Sequence, residues 1–317
     1  MLCSGLAPRK AMIHSHPPRY CQTAGELLRQ RADEAMAALA QCRLCPRACG
    51  ANRLSGEIGF CGAGADATVA SYGAHFGEEG PLVGRNGSGT IFFSHCNLRC
   101  NFCQNYDISH LGEGRNASSE QLAAIMLALQ HMGCHNINLV TPSHVVPQIL
   151  AAVVLAAEQG LSLPLVYNSG GYDSVDTLKW LDGVVDIYMP DFKFWDPEVA
   201  RGACQAPDYR ESACAAIMEM QRQVGDLYVG EEGLAIRGLL LRHLVLPDDL
   251  AGTAQVMQWV ADHISLATYV NVIDQYRPCA RAGETPRLAR RPTQGEIRAA
   301  VAATRQAGLW RLDGCTA

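Results

Sequence analysis

The sequence predicts an α/β fold: a partial (βα)6 TIM-like barrel with a small N-terminal cysteine-rich metal module. Three observations carry this. Apolar or β-branched runs alternate with helix-period segments through most of the chain, the pattern of a βα series with a parallel sheet. Six such runs are too few to close the usual eight-stranded barrel, so the sheet should be open or partial. Ahead of them lies a stretch dense in Gly, Arg and Cys with few large apolar residues, which could hardly fold without a metal.

Taken in order, residues 1 to about 23 mix Pro, His and Gly without period and read as a poorly ordered arm, while Ala24 to Gln41 turns helical. Together they make a segment 1–41. Residues 42–88 form the cysteine-rich module and its lead-in, 89–280 the partial barrel and 281–317 a C-terminal helical segment. The strands expected are Thr90 to Phe93, Ile137 to Val140, Leu163 to Tyr167, Val185 to Met189, Leu239 to Val245 and Tyr269 to Ile273. Between the first two, Leu122, Ile125, Met126 and Leu129 make one apolar helical stripe, capped by Ser118 or Ser119 and ended by Gly133. Val146 to Gln159, Glu211 to Gln223 and Leu250 to His263 are further helices. A last one opens with Thr293 and Glu296 as a capping box and closes at Gly308.

The chain has 317 residues, 48% hydrophobic and 18% charged, and no run approaches the roughly eighteen apolar residues of a membrane span. Its formal charge of -5, from 26 basic and 31 acidic residues, leaves no basic footprint, which disfavours a nucleic-acid or membrane-surface binder. The N-terminus carries basic residues but no apolar core of a secretory signal, so the expected compartment is reducing cytoplasm. There the 14 cysteines should be thiols, and clustered ones are read first as metal ligands. Seven are clustered: Cys42, Cys45, Cys49 and Cys61 in one group, and Cys96, Cys100 and Cys103 in another. The scattered ones, Cys3, Cys21, Cys134, Cys204, Cys214, Cys279 and Cys315, receive no role.

Cys96-Asn-Leu-Arg-Cys100-Asn-Phe-Cys103 has the spacing C-x3-C-x2-C in a loop leaving the first strand. A four-iron cluster takes four thiolates when fully ligated, so three leave one iron open. An open iron can be chelated by the amine and carboxylate of an amino acid. Zinc competes, but structural zinc sites are closed by a fourth ligand, and His95 is too near Cys96 in sequence to chelate the same ion. The upstream group, C-x2-C-x3-C followed by Cys61, has four thiolates and suits either zinc or a second iron–sulfur cluster.

The three-cysteine loop resembles the signature of the radical S-adenosylmethionine superfamily, including Phe102 just before the third cysteine. The longer string around it and the upstream cysteines look like the pyruvate formate-lyase activating-enzyme-like branch, with the resemblance running from about Cys42 to the C-terminal helix. It implies a 4Fe-4S cluster on Cys96, Cys100 and Cys103. It further implies reductive cleavage of S-adenosylmethionine to a 5′-deoxyadenosyl radical that abstracts hydrogen from a substrate. Where such enzymes usually carry two glycines and a glutamate for the methionine amino group, this chain has Thr141-Pro142-Ser143-His144. Asn168 and Ser169 stand where third-strand ligands occur. Met189, Asp191 and Lys193 recur at period two on one strand face, and Asp191 with Lys193 resembles the cation and cofactor pocket. By position, Gln275 with Asp274 and Tyr276 at the last strand's end is placed for a cofactor or substrate contact. An electron donor such as a flavodoxin or ferredoxin and, for an activase, a protein substrate carrying a glycine hydrogen are the partners implied. The upstream group is implied to hold an auxiliary cluster, with zinc the alternative.

Weaker signals stay open. His75, Glu78 and Glu79 fit a substrate mouth or a solvated acidic loop, and Arg242 and His243 interrupt an apolar run as either cofactor contacts or an interfacial ion pair. Gly84 to Gly89 lacks the context of a phosphate loop and reads as a turn. A non-catalytic iron–sulfur or zinc protein for electron transfer or scaffolding is the alternative function. An RNA-modifying enzyme is weakened by the acidic balance.

Overall fold

The computed structural model describes residues 16–314. Its ten strands are β1 (Ala67–His75), β2 (Ser88–Phe93), β3 (Arg115–Ala117), β4 (Ile137–Val140), β5 (Leu165–Ser169), β6 (Ile187–Pro190), β7 (Tyr228–Val229), β8 (Ala235–Leu244), β9 (Tyr269–Ile273) and β10 (Arg311–Leu312). They form one sheet in the order β10-β9-β8-β6-β5-β4-β2-β1-β3, with β7 paired to β8. From β2 to β9 every neighbouring pair along that order is parallel. The protein is therefore α/β with a mostly parallel sheet.

The period-two alternation of the strands separates two cores. Val166, Ile187, Met189 and Leu240 point to one side and pack with Leu82. Leu165, Tyr167, Tyr188, Leu239 and Leu241 point to the other, where helices such as Ser119–His131 and Val146–Glu158 cover them. The expected capping box of Thr293 with Glu296 opens Gln294–Gln306, and Ser118, the cap of Ser119–His131, forms a second box with Gln121.

Four strands move by one to four residues at an end, β2 to Ser88–Phe93, β5 to Leu165–Ser169, β6 to Ile187–Pro190 and β8 to Ala235–Leu244, and the segment boundaries shift in three places. The sheet begins at Ala67, inside the expected 42–88 lead-in, because β1 pairs antiparallel with β2 and with β3. β1 escaped notice because its outer half is exposed and carries few large apolar residues. At the other end β10 adds two residues parallel to β9, so the 281–317 segment is not wholly helical. Within the expected N-terminal arm, Arg19–Gln22 is a short docked helix. Arg19 N–H donates to Asp186 Oδ1 at 2.9 Å, and the Tyr20 hydroxyl donates to Leu163 O at 3.0 Å. The first fifteen residues of that arm, with Cys3, and Cys315 at the other end lie outside the described residues. Among the described residues no helix is long and apolar enough to cross a membrane.

Candidate functional site

Parallel strands place their C-terminal ends along one edge, and here those ends meet the three-cysteine loop. Cys96, Cys100, Phe102 and Cys103 line a cavity of about 210 Å³ together with Thr141, Asn168, Ser169, Asp191, Lys193, Arg242, Gln275 and Tyr276. The loop turns sharply: His95 and Arg99 adopt left-handed φ of 70° and 51°. Its sulfurs accept from the protein, Cys96 Sγ from Leu98 N–H at 3.4 Å and Cys103 Sγ from the Ser109 hydroxyl at 3.2 Å. Burial pushes the Cys96 thiol up to about 12, with Cys100 adding to the rise. Phe102 meets Phe194 and Tyr276 edge-on, at 6.0 and 5.6 Å between centroids, which forms an apolar wall.

The opposite wall is ionic. Asp191 Oδ1 accepts Arg242 Nε at 2.7 Å and its Oδ2 accepts Lys193 Nζ. Arg242 Nη2 donates to Asn168 Oδ1 at 2.8 Å, and its Nη1 lies 3.9 Å from Glu79 Oε1, which also accepts Asn271 Nδ2 at 2.9 Å. Burial opposes charge on Asp191, yet Arg242 and Lys193 hold its carboxyl below the usual range. Burial likewise opposes charge on Lys193, and Asp191 outweighs it. Two anions and two cations thus alternate in a chain Glu79–Arg242–Asp191–Lys193. The backbone around it is tight. Gly171 has φ of 76°, and a Cβ there would lie 2.2 Å from Asp191 O, so only glycine lets the β5 loop approach the end of β6.

Of the sequence-derived contacts, Ser143, His144 and Met189 do not line this cavity. Ser143 is buried beside Asp173 and Tyr167. His144 Nε2 pairs with Ser94 O at 2.8 Å, and its carbonyl accepts the buried Arg53 guanidinium at 2.7 Å. Met189 shares the strand face of Asp191 and Lys193, as its spacing predicts, but lies deeper, in the apolar cluster around Leu82. Glu78 and Glu79 correct both earlier readings: neither at a mouth nor solvated, they are buried beneath the cavity beside Arg242. Arg242 faces the cavity, whereas His243 points the other way into the core.

Buried His243 lies 2.6 Å from Phe192 O through Nδ1 and 2.9 Å from Thr253 Oγ1 through Nε2. Burial holds its imidazole down at about 4 despite the Phe192 carbonyl. Between that value and the ordinary 6.5 the unfolded chain binds a proton that the folded chain excludes. Stability is therefore present above pH 6.5 and is lost as pH falls towards 4, by on the order of 3 kcal/mol for this group. The drop in thermal midpoint between pH 6.5 and 4 should be shallower in His243→Gln than in the wild type. Parallel curves would remove His243 as a source of acid lability.

The upstream cysteines lie in a stretch whose only regular element is the short turn of helix Arg53–Ser55. Cys42, Cys45 and Cys61 are buried and Cys49 is exposed. Cys61 interacts electrostatically with Cys42 and Cys49, and Cys45 with Cys61 and Cys42. Two arginines tie this stretch to the sheet. Arg53 bonds Gly64 O and His144 O, each at 2.7 Å, and Arg47 bonds Asn97 O at 3.0 Å while stacking on Phe60. Among the described residues no group of three or more His, Cys, Asp or Glu side chains is arranged to hold a metal ion. A larger cavity, about 690 Å³, opens among His16, Arg19, Asp186, Tyr228 and Arg237, but no thiol lines it. The reactive side chains converge at the smaller one.

Fold and site together define an α/β protein whose mostly parallel sheet gathers three thiols and a buried ion-pair chain at the strand ends. No protein-family model matches the chain. It is 31% identical over 268 residues to the uncharacterized protein MJ0674 of Methanocaldococcus jannaschii, an alignment covering 82% of this chain and 73% of that protein. The chain belongs to the same family as that archaeal protein.

Proposed function

We propose that the protein is a radical S-adenosylmethionine enzyme of the activating-enzyme-like branch, built on a partial (βα) barrel with a cysteine-rich metal module. The observation that carries the reading is the meeting, in one cavity, of all three cysteines of the C-x3-C-x2-C loop with the ends of the parallel strands. Donor chemistry, not a preassembled ligand geometry, supports a cluster with one open iron: three thiols and no fourth cysteine line that cavity. Such a cluster, when bound, supplies the electron that cleaves S-adenosylmethionine to methionine and a 5′-deoxyadenosyl radical.

The remaining roles fall to the chain itself. Lys193, its charge kept by Asp191, offers an ammonium to a carboxylate, and Asn168, Ser169 and Thr141 offer neutral donors and acceptors along the same rim. Phe102, Leu98 and Tyr276 form the apolar side and exclude water from the reacting groups. Ser109 donates to Cys103 Sγ and lowers the electron density on that ligand. The test is an anaerobic assay: iron-reconstituted protein with dithionite and S-adenosylmethionine should release 5′-deoxyadenosine. No product, together with a reduced-cluster EPR spectrum unchanged by S-adenosylmethionine, would leave an electron carrier instead. The hydrogen donor proposed is a glycine of a partner enzyme, and the electron donor a flavodoxin or ferredoxin. A stable radical on that partner after the reaction is the expected sign.

The second thiol group is proposed to hold an auxiliary 4Fe-4S cluster. Four cysteines, three of them buried, in a stretch nearly without regular structure support a structural metal role. Cys45→Ala should lower iron and acid-labile sulfide by about one cluster per chain after reconstitution, half the total if both sites are four-iron. Loss of zinc with unchanged iron would assign the site to zinc.

A further inference from the structure

Cys204 has no role legible in the sequence, being roughly a hundred residues from the cysteine loop. The fold brings the two together. Asn101 N–H, directly after Cys100, donates to Ala203 O at 2.8 Å, directly before Cys204. Arg47 fixes the other side of that helix end: its Nη2 donates to Cys204 O at 2.6 Å and its Nη1 to Gln205 O. The Cys204 thiol donates to Ala200 O at 3.2 Å, and its side chain interacts with that of Cys100. Both side chains are buried.

The two residues line different cavities. Cys100 lines the cavity of Asp191 and Lys193, whereas Cys204 is absent from it and lines a separate cavity of about 490 Å³ behind the loop, with Phe60, Arg99, Asn101 and His110. Cys204 is thus out of place as a fourth ligand facing the cofactor pocket. It stands beside a proposed ligand, next to the second cavity.

We propose that Cys204 is a guard thiol, which forms a reversible disulfide with Cys100 when peroxide meets the metal-free chain. The Cys204 sulfur attacks one peroxide oxygen, the O–O bond breaks, and a sulfenic acid and water result. Cys100 then attacks that sulfur, the S–S bond forms, the S–O bond breaks, and a second water leaves. Overall, two thiols and hydrogen peroxide give one disulfide and two waters. Closing this bond keeps Cys100 from irreversible oxidation and withholds it from iron until a dithiol reduces it. The withholding of iron rests on the ligand role proposed above; the disulfide itself does not.

Chelated, metal-free protein treated with stoichiometric hydrogen peroxide, alkylated and digested should yield a linked Cys100–Cys204 peptide by mass spectrometry. Dithiothreitol should abolish the link and restore iron uptake. Cys204→Ser should give no link, should accumulate sulfinic acid at Cys100 and should not recover iron uptake with dithiothreitol; Cys204→Ala serves if the serine variant fails to fold. The proposal falls if wild-type Cys204 stays open to alkylation after peroxide, or if Cys100 links to Cys96 or Cys103 instead. Peptide mapping needs no iron. Failure of untreated protein to take up iron would therefore count against the cluster and leave the disulfide result standing.

Discussion

Asp191→Ala should destabilise the fold by about 3–5 kcal/mol, the usual cost of removing one partner from a buried ion pair. The reason is local. Asp191 is the anion between two cations, holding Arg242 Nε at 2.7 Å and Lys193 Nζ through its other oxygen. Arg242 and Lys193 are each only 17% exposed at the side chain, so neither can turn to bulk water. Without Asp191, Arg242 loses its closest anion and keeps the more distant Glu79 and Glu78 and the neutral Asn168. Asp191→Asn, which retains an acceptor but no charge, should fall between. Lys193→Ala should cost less, since it removes a cation and leaves Asp191 paired with Arg242. If the proposed function holds, Lys193→Ala retains its iron but loses 5′-deoxyadenosine formation, because the cysteines are untouched and the cofactor's carboxylate partner is gone. Urea denaturation, iron content and product release on the three variants separate these effects. Wild-type stability in Asp191→Ala would refute the ion-pair account, and full turnover in Lys193→Ala would remove Lys193 from the site.

The sequence exposed the parallel strands well because β2, β4, β5 and β6 are buried on almost every residue, and the half-buried β9 is still mostly apolar. Such strands read as apolar runs, and Ile137 to Val140 and Tyr269 to Ile273 carry their final boundaries. β1, with an exposed outer half, and the two-residue β10 have no comparable signal. At the site, position after a strand was enough to nominate Asp191, Lys193, Asn168 and Gln275. Ser143 and His144 do not reach the cavity, because a loop residue three or four positions past a strand can turn back into the core. The Thr-Pro-Ser-His loop does so, with Thr141 at a left-handed φ of 62°. Arg242 left a readable trace as a cation inside an apolar strand, but which partner neutralises it depends on the β1–β2 connection that brings Glu79 underneath. Cys204 left none. Its contact with Cys100 joins the helix Pro197–Cys204 to a loop of the first parallel strand, and spacing along the chain carries no information about that.

Cys100→Ala should abolish 5′-deoxyadenosine release and lower bound iron by about one four-iron cluster per chain, while leaving the circular dichroism spectrum unchanged. Cys100 is buried at the centre of the loop, between Cys96 and Cys103, so two ligands at the ends of the turn cannot hold a cluster meant for three. The fold should survive: an alanine occupies most of the volume of a thiol, and the backbone bond from Asn101 to Ala203 is unaffected. Cys214→Ala is the matched control, a half-buried cysteine on the helix Tyr209–Val224 that lines neither cavity beside the loop, and should behave as wild type. Combining Cys100→Ala with Cys45→Ala should remove the remaining iron, since the two groups of thiols lie in separate segments and are proposed to bind independently. Iron that persists in the double variant would mean that the groups share ligands. Product that persists in the single variant would mean that the three-cysteine loop is not where S-adenosylmethionine is cleaved.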